Sequence, residues 1–245
     1  MGGLVVGVNS FWNSTKPDYK LFVFFNINFV FFVLMLNSKE YWDKKFQHTW
    51  RQSGISQSKT FALDGIRFIE QYLDLSGKFV VDFGCGVGVS SEYFHQAGVS
   101  KYLGVDHSSV AIDNSKHLFP DFDWLCGGVD LIPTCDIIFV SNVVEHLTDW
   151  KSVISKLNEK CKNLVVLVPY EEEVRYKSPE HVNYFNEDSL NFLKGSVKHQ
   201  IYRSKGWGLW GWNLWFHCHT KNVIKVLLNQ RPRRIGHQIG FITGV

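Results

Sequence analysis

The stretch Val80-Val81-Asp82-Phe83-Gly84-Cys85-Gly86-Val87-Gly88 restricts the fold of this chain more than any other. An apolar run closes on an acid, and three glycines follow at alternate positions. A second apolar run, Tyr102-Leu103-Gly104-Val105, closes on another acid, Asp106. The pattern reads as strand, glycine turn, helix and strand. Glycine lacks the Cβ that would block a sharp turn or a close approach to a ligand. An acid at the tip of the second strand, about 20 residues on, is placed to hold the two hydroxyls of a ribose. A nucleoside-bearing ligand across the carboxyl ends of these strands is therefore expected.

The wording of the turn narrows the ligand. Gly84-Cys85-Gly86-Val87-Gly88 is G-x-G-x-G, whereas the dinucleotide fingerprint is G-x-G-x-x-G/A and needs its third small residue at Val89. The Gly-Lys-Ser/Thr of a P-loop is absent. An acid just before the turn suits a cofactor with a cationic amino-acid end better than a pyrophosphate. At these residues the chain resembles the class I S-adenosylmethionine-dependent methyltransferases, over roughly residues 40 to 205. The resemblance implies S-adenosylmethionine as cofactor. It sets Asp82 under the methionine end, lined by Gly84, Cys85, Gly86 and Gly88. It gives Asp106 to the ribose and His107 to the flank of the adenine.

The rest of the chain continues the alternation. Apolar spacing over Thr60–Leu73 predicts a helix before the first strand, Phe79–Phe83. A helix over Val89–Ala97 ends at Gly98, the second strand is Lys101–Asp106, and Ser108 or Ser109 caps a helix over Val110–Leu118. Strands are expected at Phe122–Cys126, Cys135–Ser141 and Asn163–Val168, with a helix over Asp149–Lys160 between the last two. This predicts an α/β fold, a doubly wound and mostly parallel sheet with helices on both faces. Beyond Pro169 a lid-like surface loop and a short helix over Ser189–Lys194 are expected. Val197–Ser204 and Trp212–Thr220 read as strands of an antiparallel C-terminal hairpin, the usual close of the seven-stranded Rossmann-like sheet in the family this resembles. Lys221–Gln230 reads as a final helix.

Composition bounds the remainder. A chain of 245 residues, 45% hydrophobic and 20% charged, suits one well-buried α/β domain. Its net charge of +3 is too small to imply a nucleic-acid partner by itself. The five cysteines form no Cys-x-x-Cys pair, which argues against structural zinc and for free thiols in a reducing, cytoplasmic compartment. The domain is expected over 37–230, preceded by a Phe-rich leader over 1–36 and followed by a basic tail over 231–245. The apolar run Leu21–Leu36 is broken by Asn26 and Asn28 and is short of the about 20 residues that span a membrane. Three readings of it stand: translated upstream sequence with Met35 as the natural start, a membrane anchor, or a structural extension.

Later motifs concern the two ends of the expected site. Many members of the family carry an acid after strand three that meets the adenine. Here Gly128 stands at that position and Asp130 comes two residues late, so backbone groups near Cys126 and Gly127 are expected to take the contact. By the same resemblance Ser141-Asn142-Val143-Val144-Glu145-His146-Leu147 leaves strand four beside the methyl group, with Asn142 in the cofactor site. His146 and His181 are the candidate general bases, each alternatively a loop-shaping or capping residue. An imidazole has an ordinary pKa of about 6.5, which suits proton removal from a hydroxyl. No acid cluster reads as a metal set, although Asp136 and Glu145 flank strand four, and no metal ligand is expected. Trp207, Trp210, Trp212 and Trp215 could stack on a sugar or cover the sheet edge. The expected reaction is methylation of a small-molecule hydroxyl, within that class a sugar of a glycan or nucleotide-sugar pathway. Methylation of RNA or protein and a non-catalytic module that binds cofactor are the rivals.

Overall fold

The computed structural model describes residues 36–48, 53–172, 177–204 and 236–245, with positions 223–224 and 227–228. Helices α1 (Lys39–His48) and α2 (Ser53–Ile69) precede the sheet. Then come β1 (Phe79–Phe83), α3 (Ser90–Gln96), β2 (Lys101–Asp106), α4 (Ser109–Leu118), β3 (Asp123–Cys126) and β4 (Cys135–Ser141). Helix α5 (Trp150–Asn158) leads to β5 (Cys161–Pro169), and β6 (Val197–Arg203) and β7 (His237–Thr243) complete the set. The seven strands lie in the order β3-β2-β1-β4-β5-β7-β6. Strands β1 to β5 pair in parallel, and β7 runs antiparallel to both neighbours. The sheet is Rossmann-like, as expected.

Alternation along the strands divides the core. Val81, Ile138, Val140, Val166 and Phe241 pack on one face with Ile154 and Leu157 of α5. Val80, Ile137, Phe139, Val165 and Ile242 pack on the other with Ile66 and Ile69 of α2 and Phe94 of α3. A strand buried on both faces reads as a continuous apolar run, which is why β4 and β5 were legible. Helix α4 is capped by Ser108, whose hydroxyl accepts the Ala111 N–H at 3.1 Å. The chain order reverses between β1 and β4, where an open α/β sheet leaves a crevice at the carboxyl ends of its strands.

Two expectations are corrected. The stretch 231–245 is not a tail throughout: His237–Thr243 is β7, an interior strand second from the sheet edge, with its residues from Gln238 onward buried. It takes the partnership with β6 that was expected of Trp212–Thr220. Its polar members are satisfied from outside the strand. Gln238 bonds to Tyr202 and Asn142, and Thr243 to Asn158 and the Leu164 N–H. Ser189–Lys194 forms turns, not a helix. Asn186 accepts the Asp188 N–H and Asp188 accepts from Asn191, local bonds that compete with a helical ladder. The leader, the Trp207–Trp215 segment, the Trp212–Thr220 strand and most of the Lys221–Gln230 helix lie outside the described residues.

Candidate active site

A cavity of about 1130 Å³ opens at the carboxyl ends of β1, β2, β4 and β5. One end is built on the glycine turn. Gly84, Gly86 and Gly88 have φ of 78°, 55° and 78°, a region L side chains rarely adopt. The space that their missing Cβ atoms free is filled by the protein itself. A Cβ on Gly84 would lie 2.3 Å from Val143, and one on Gly88 would lie 2.3 Å from the Trp124 ring. Helix α1 covers the turn, with Phe46 packed on Val87, Val89 and Ala111.

The two strand-tip acids are buried, and each accepts two hydrogen bonds from the protein. Asp106 accepts the Gly86 N–H at 3.0 Å and the Ser108 N–H at 2.9 Å. Burial raises its carboxyl above the usual range, against the pull of these bonds. Asp82 accepts from the Tyr102 hydroxyl at 2.7 Å and from the Ser90 hydroxyl. Burial pushes its carboxyl up to about 6, restrained by those two bonds and assisted by the charge of Asp106. Tyr102 and Ser90 were not singled out in the sequence. The available signal was a polar residue on each buried face, one in β2 and one opening α3.

The other end is built on the turn after β4. Asn142 has φ 54°, a left-handed conformation that Asn tolerates better than most residues. Its side-chain oxygen accepts from Gln238 of β7 at 2.8 Å, and Gln238 accepts the Tyr202 hydroxyl at 2.9 Å. A single helical turn over Val144–His146 then presents Glu145 and His146. The segment after β5 is sewn onto this turn. The Val182 N–H donates to the Glu145 carbonyl at 2.8 Å, and the Asn183 amide donates to the carbonyls of Val144 and Leu147 at 2.9 and 2.7 Å. His181 is thereby set against His146, ring centroids 4.9 Å apart and nearly perpendicular.

Helix α1 closes this end through Glu180. That carboxylate accepts from Lys45 at 2.5 Å and from Tyr41 and Ser178. Burial opposes its charge, but these three bonds hold its carboxyl down at about 2. Trp42 lies edge-on to His146, centroids 5.0 Å apart. Burial and the neighbouring His181 depress the His146 imidazole to about 3, so it is neutral throughout the physiological range. Burial also works against charge on His181. The bond from its Nδ1 to Glu172 at 2.6 Å, with the carboxylates of Glu145, Glu172 and Glu180, raises it above the usual value.

Of the residues expected at the site, Asp82, Gly84, Cys85, Gly86, Asp106, His107, Gly127, Asn142, His146 and His181 line the one cavity. Gly88 and Cys126 do not. Gly88 supports Trp124, and Cys126 is exposed at the end of β3. Asp130, two residues past the usual place for an adenine-binding acid, lines the rim. The sequence shows no cluster of acids that would bind a metal, and the fold groups one acid with two imidazoles. One ligand atom each from Glu145, His146 and His181 lie within 4.8 Å of one another. His181 stands far down the sequence from the other two, so only the fold shows the grouping.

A family model described as a methyltransferase domain matches residues 55–193. A ubiquinone biosynthesis O-methyltransferase of Coxiella burnetii is 31% identical over 97 residues, 36% of this chain and 41% of that protein. The chain thus spans about two fifths of the length of that curated relative. Among solved structures, a Haloferax volcanii complex of the Trm112 methyltransferase activator with a methyltransferase superposes with a TM-score of 0.62 at 14% identity, covering 83% of this chain and 97% of that one. The plantazolicin methyltransferase BpumL in complex with S-adenosylhomocysteine superposes with a TM-score of 0.53 at 12% identity, covering 88% and 98%.

Proposed function

The chain belongs to the methyltransferase-domain family, in its class I S-adenosylmethionine-dependent form, and from that premise we propose that it methylates a hydroxyl of a small molecule. One observation carries this: two buried carboxylates at the tips of adjacent parallel strands open into the same cavity as an imidazole pair. The donor set suits the cofactor. Asp106 offers acceptor oxygens for ribose hydroxyls, Asp82 a carboxylate for the cationic amino-acid end, and Gly127 backbone groups for the adenine. When bound, S-adenosylmethionine supplies a methyl carbon on a sulfonium.

The acceptor oxygen forms the new carbon–oxygen bond as the carbon–sulfur bond breaks. The products are the methyl ether, S-adenosylhomocysteine and one proton. The protein's part is to hold the oxygen in line and to receive or steer that proton. Asn142 and the turn it opens form the wall between the two ends. The cluster of Glu145, His146 and His181 is where the hydroxyl loses its proton.

The name of the Coxiella relative and the imidazole pair favour oxygen as the methylated atom. A sugar is the narrower form of this reading and rests on Trp207, Trp210, Trp212 and Trp215. Calorimetry with S-adenosylhomocysteine tests the cofactor site, and micromolar binding is expected. Turnover of S-adenosylmethionine with hydroxyl acceptors tests the reaction. Binding without turnover on any acceptor would favour the non-catalytic module instead.

A further inference from the structure

The acceptor end holds a group whose chemistry is incomplete. Glu145 is 1% exposed, and neither carboxylate oxygen has a hydrogen-bond partner among the described residues. A buried carboxylate without partners costs several kcal/mol when charged, and a neutral one still leaves a donor unmet. Lys45 of α1 donates to Glu180. The backbone around Glu145 is fixed by Val182 and Asn183, so the side chain cannot be relieved by moving the turn.

The two imidazoles beside it are oriented alike. The Nδ1 of His146 lies 3.1 Å from the Glu180 carbonyl, and the Nδ1 of His181 lies 2.6 Å from Glu172 Oε2. Both partners are pure acceptors, so each Nδ1 carries the hydrogen and the lone pair of the neutral ring sits on Nε2. A carboxylate or carbonyl on the outer nitrogen is the arrangement that orients histidines towards a metal ion.

We propose that Glu145, His146 and His181 form a binding site for one divalent transition-metal ion in the acceptor half of the cavity. Two nitrogens and one carboxylate suit zinc, cobalt, manganese or iron(II), not calcium or magnesium, which prefer oxygen ligands. A tetrahedral zinc with bonds of about 2 Å spaces its ligands roughly 3.3 Å apart. The observed atoms, within 4.8 Å, need to close by no more than about 1.5 Å. Three protein ligands leave a coordination position open. An acceptor hydroxyl in that position would lose its proton to water more readily, and a second, adjacent oxygen on the acceptor would add to the grip. That use of the ion rests on the methyl-transfer reading; binding of the ion does not.

The full-length protein, stripped with a chelator, is titrated with Co²⁺ by calorimetry and visible absorption, and in parallel with S-adenosylhomocysteine. One ion per chain is expected, with ligand-field bands of a low-symmetry nitrogen–oxygen site. Glu145→Gln and His181→Asn are each expected to weaken Co²⁺ more than about tenfold while leaving S-adenosylhomocysteine affinity unchanged, which also reports that they fold. His146→Asn provides a third test should either fail to fold. Co²⁺ binding that is equally tight in these variants, or absent from a wild-type protein that binds S-adenosylhomocysteine, overturns the site. Variant-sensitive Co²⁺ binding by a protein that ignores S-adenosylhomocysteine supports the metal site and removes the methyltransferase reading.

Discussion

The two ends of the cavity handle buried charge in opposite ways. At the β1–β2 end, Asp82 and Asp106 each accept two hydrogen bonds from groups of the same local unit. At the β4–β5 end, the Glu145 side chain accepts none from the described residues, although its backbone is tied down. The first end is finished by short-range structure and waits for a ligand of fixed shape. The second is assembled from α1, the turn after β4 and the segment after β5, and His181 is the charged neighbour that Glu145 faces. Preorganised dipoles favour a ligand whose charge is known in advance. The unmet Glu145 carboxylate is the basis of the metal site proposed above.

The largest effect expected on this contrast is at the glycine turn. Gly88→Ala combines a positive φ with a Cβ driven into Trp124 and is expected to lower stability by about 2–4 kcal/mol in denaturant unfolding. Gly128→Ala, after β3 with nothing within 4 Å of its Cβ position, is expected to stay within about 0.5 kcal/mol. Equal losses would mean that the turn is not packed as described.

Next comes the ribose site. Asp106→Ala is expected to weaken S-adenosylhomocysteine by roughly 1–3 kcal/mol, since buried partners lose their acceptor. Unchanged affinity in calorimetry would remove Asp106 from the cofactor site.

The pH dependence is smaller. In the free protein Asp82 has its carboxyl raised to about 6, so below that value it is protonated and cannot meet a cationic amino group. Affinity for S-adenosylhomocysteine is expected to fall about tenfold from pH 7 to pH 5, and to be flat in Asp82→Asn. The same shift has a stability counterpart. A carboxyl raised by folding contributes fully below its unfolded value and loses that contribution as pH rises through about 6. A wild-type affinity that does not change between pH 5 and 7 would dissociate Asp82 from the amino-acid end.

The smallest effect sharpens the acceptor side. Gln238→Leu removes one bond to Asn142 and one to Tyr202. Turnover is expected to drop by about fivefold, one hydrogen bond's worth, with S-adenosylhomocysteine affinity unchanged. A matching loss of affinity would place Asn142 with the cofactor end instead.

The cofactor end was legible in the sequence because its parts are neighbours along the chain. The glycine turn and both acids fall within one strand–helix–strand unit, the Ser108 cap follows directly after it, and local rules govern each. The acceptor end was only half legible. Asn142, Glu145 and His146 stood out beside β4, and His181 was suspected, but nothing in the spacing said that Asn183 would pin His181 onto Glu145. Gly88 and Cys126 were assigned to the cavity on motif alone; one instead makes room for Trp124 and the other ends a strand in solvent.

What the sequence by itself determined is the first five strands, the turn between β1 and α3, and the placement of two acids at neighbouring strand tips. Apolar periodicity and glycine chemistry act over a few residues, so they can be read locally. Only the tertiary structure decided that His237–Thr243 is an interior strand and that Glu145, His146 and His181 share one pocket. The end of the chain reads as a tail because it opens on Arg231-Pro232-Arg233-Arg234 and carries glycines, and Gln238 and Thr243 are polar. They are buried at no cost in hydrogen bonding only because Tyr202, Asn142, Asn158 and the Leu164 N–H, remote in sequence, supply their partners.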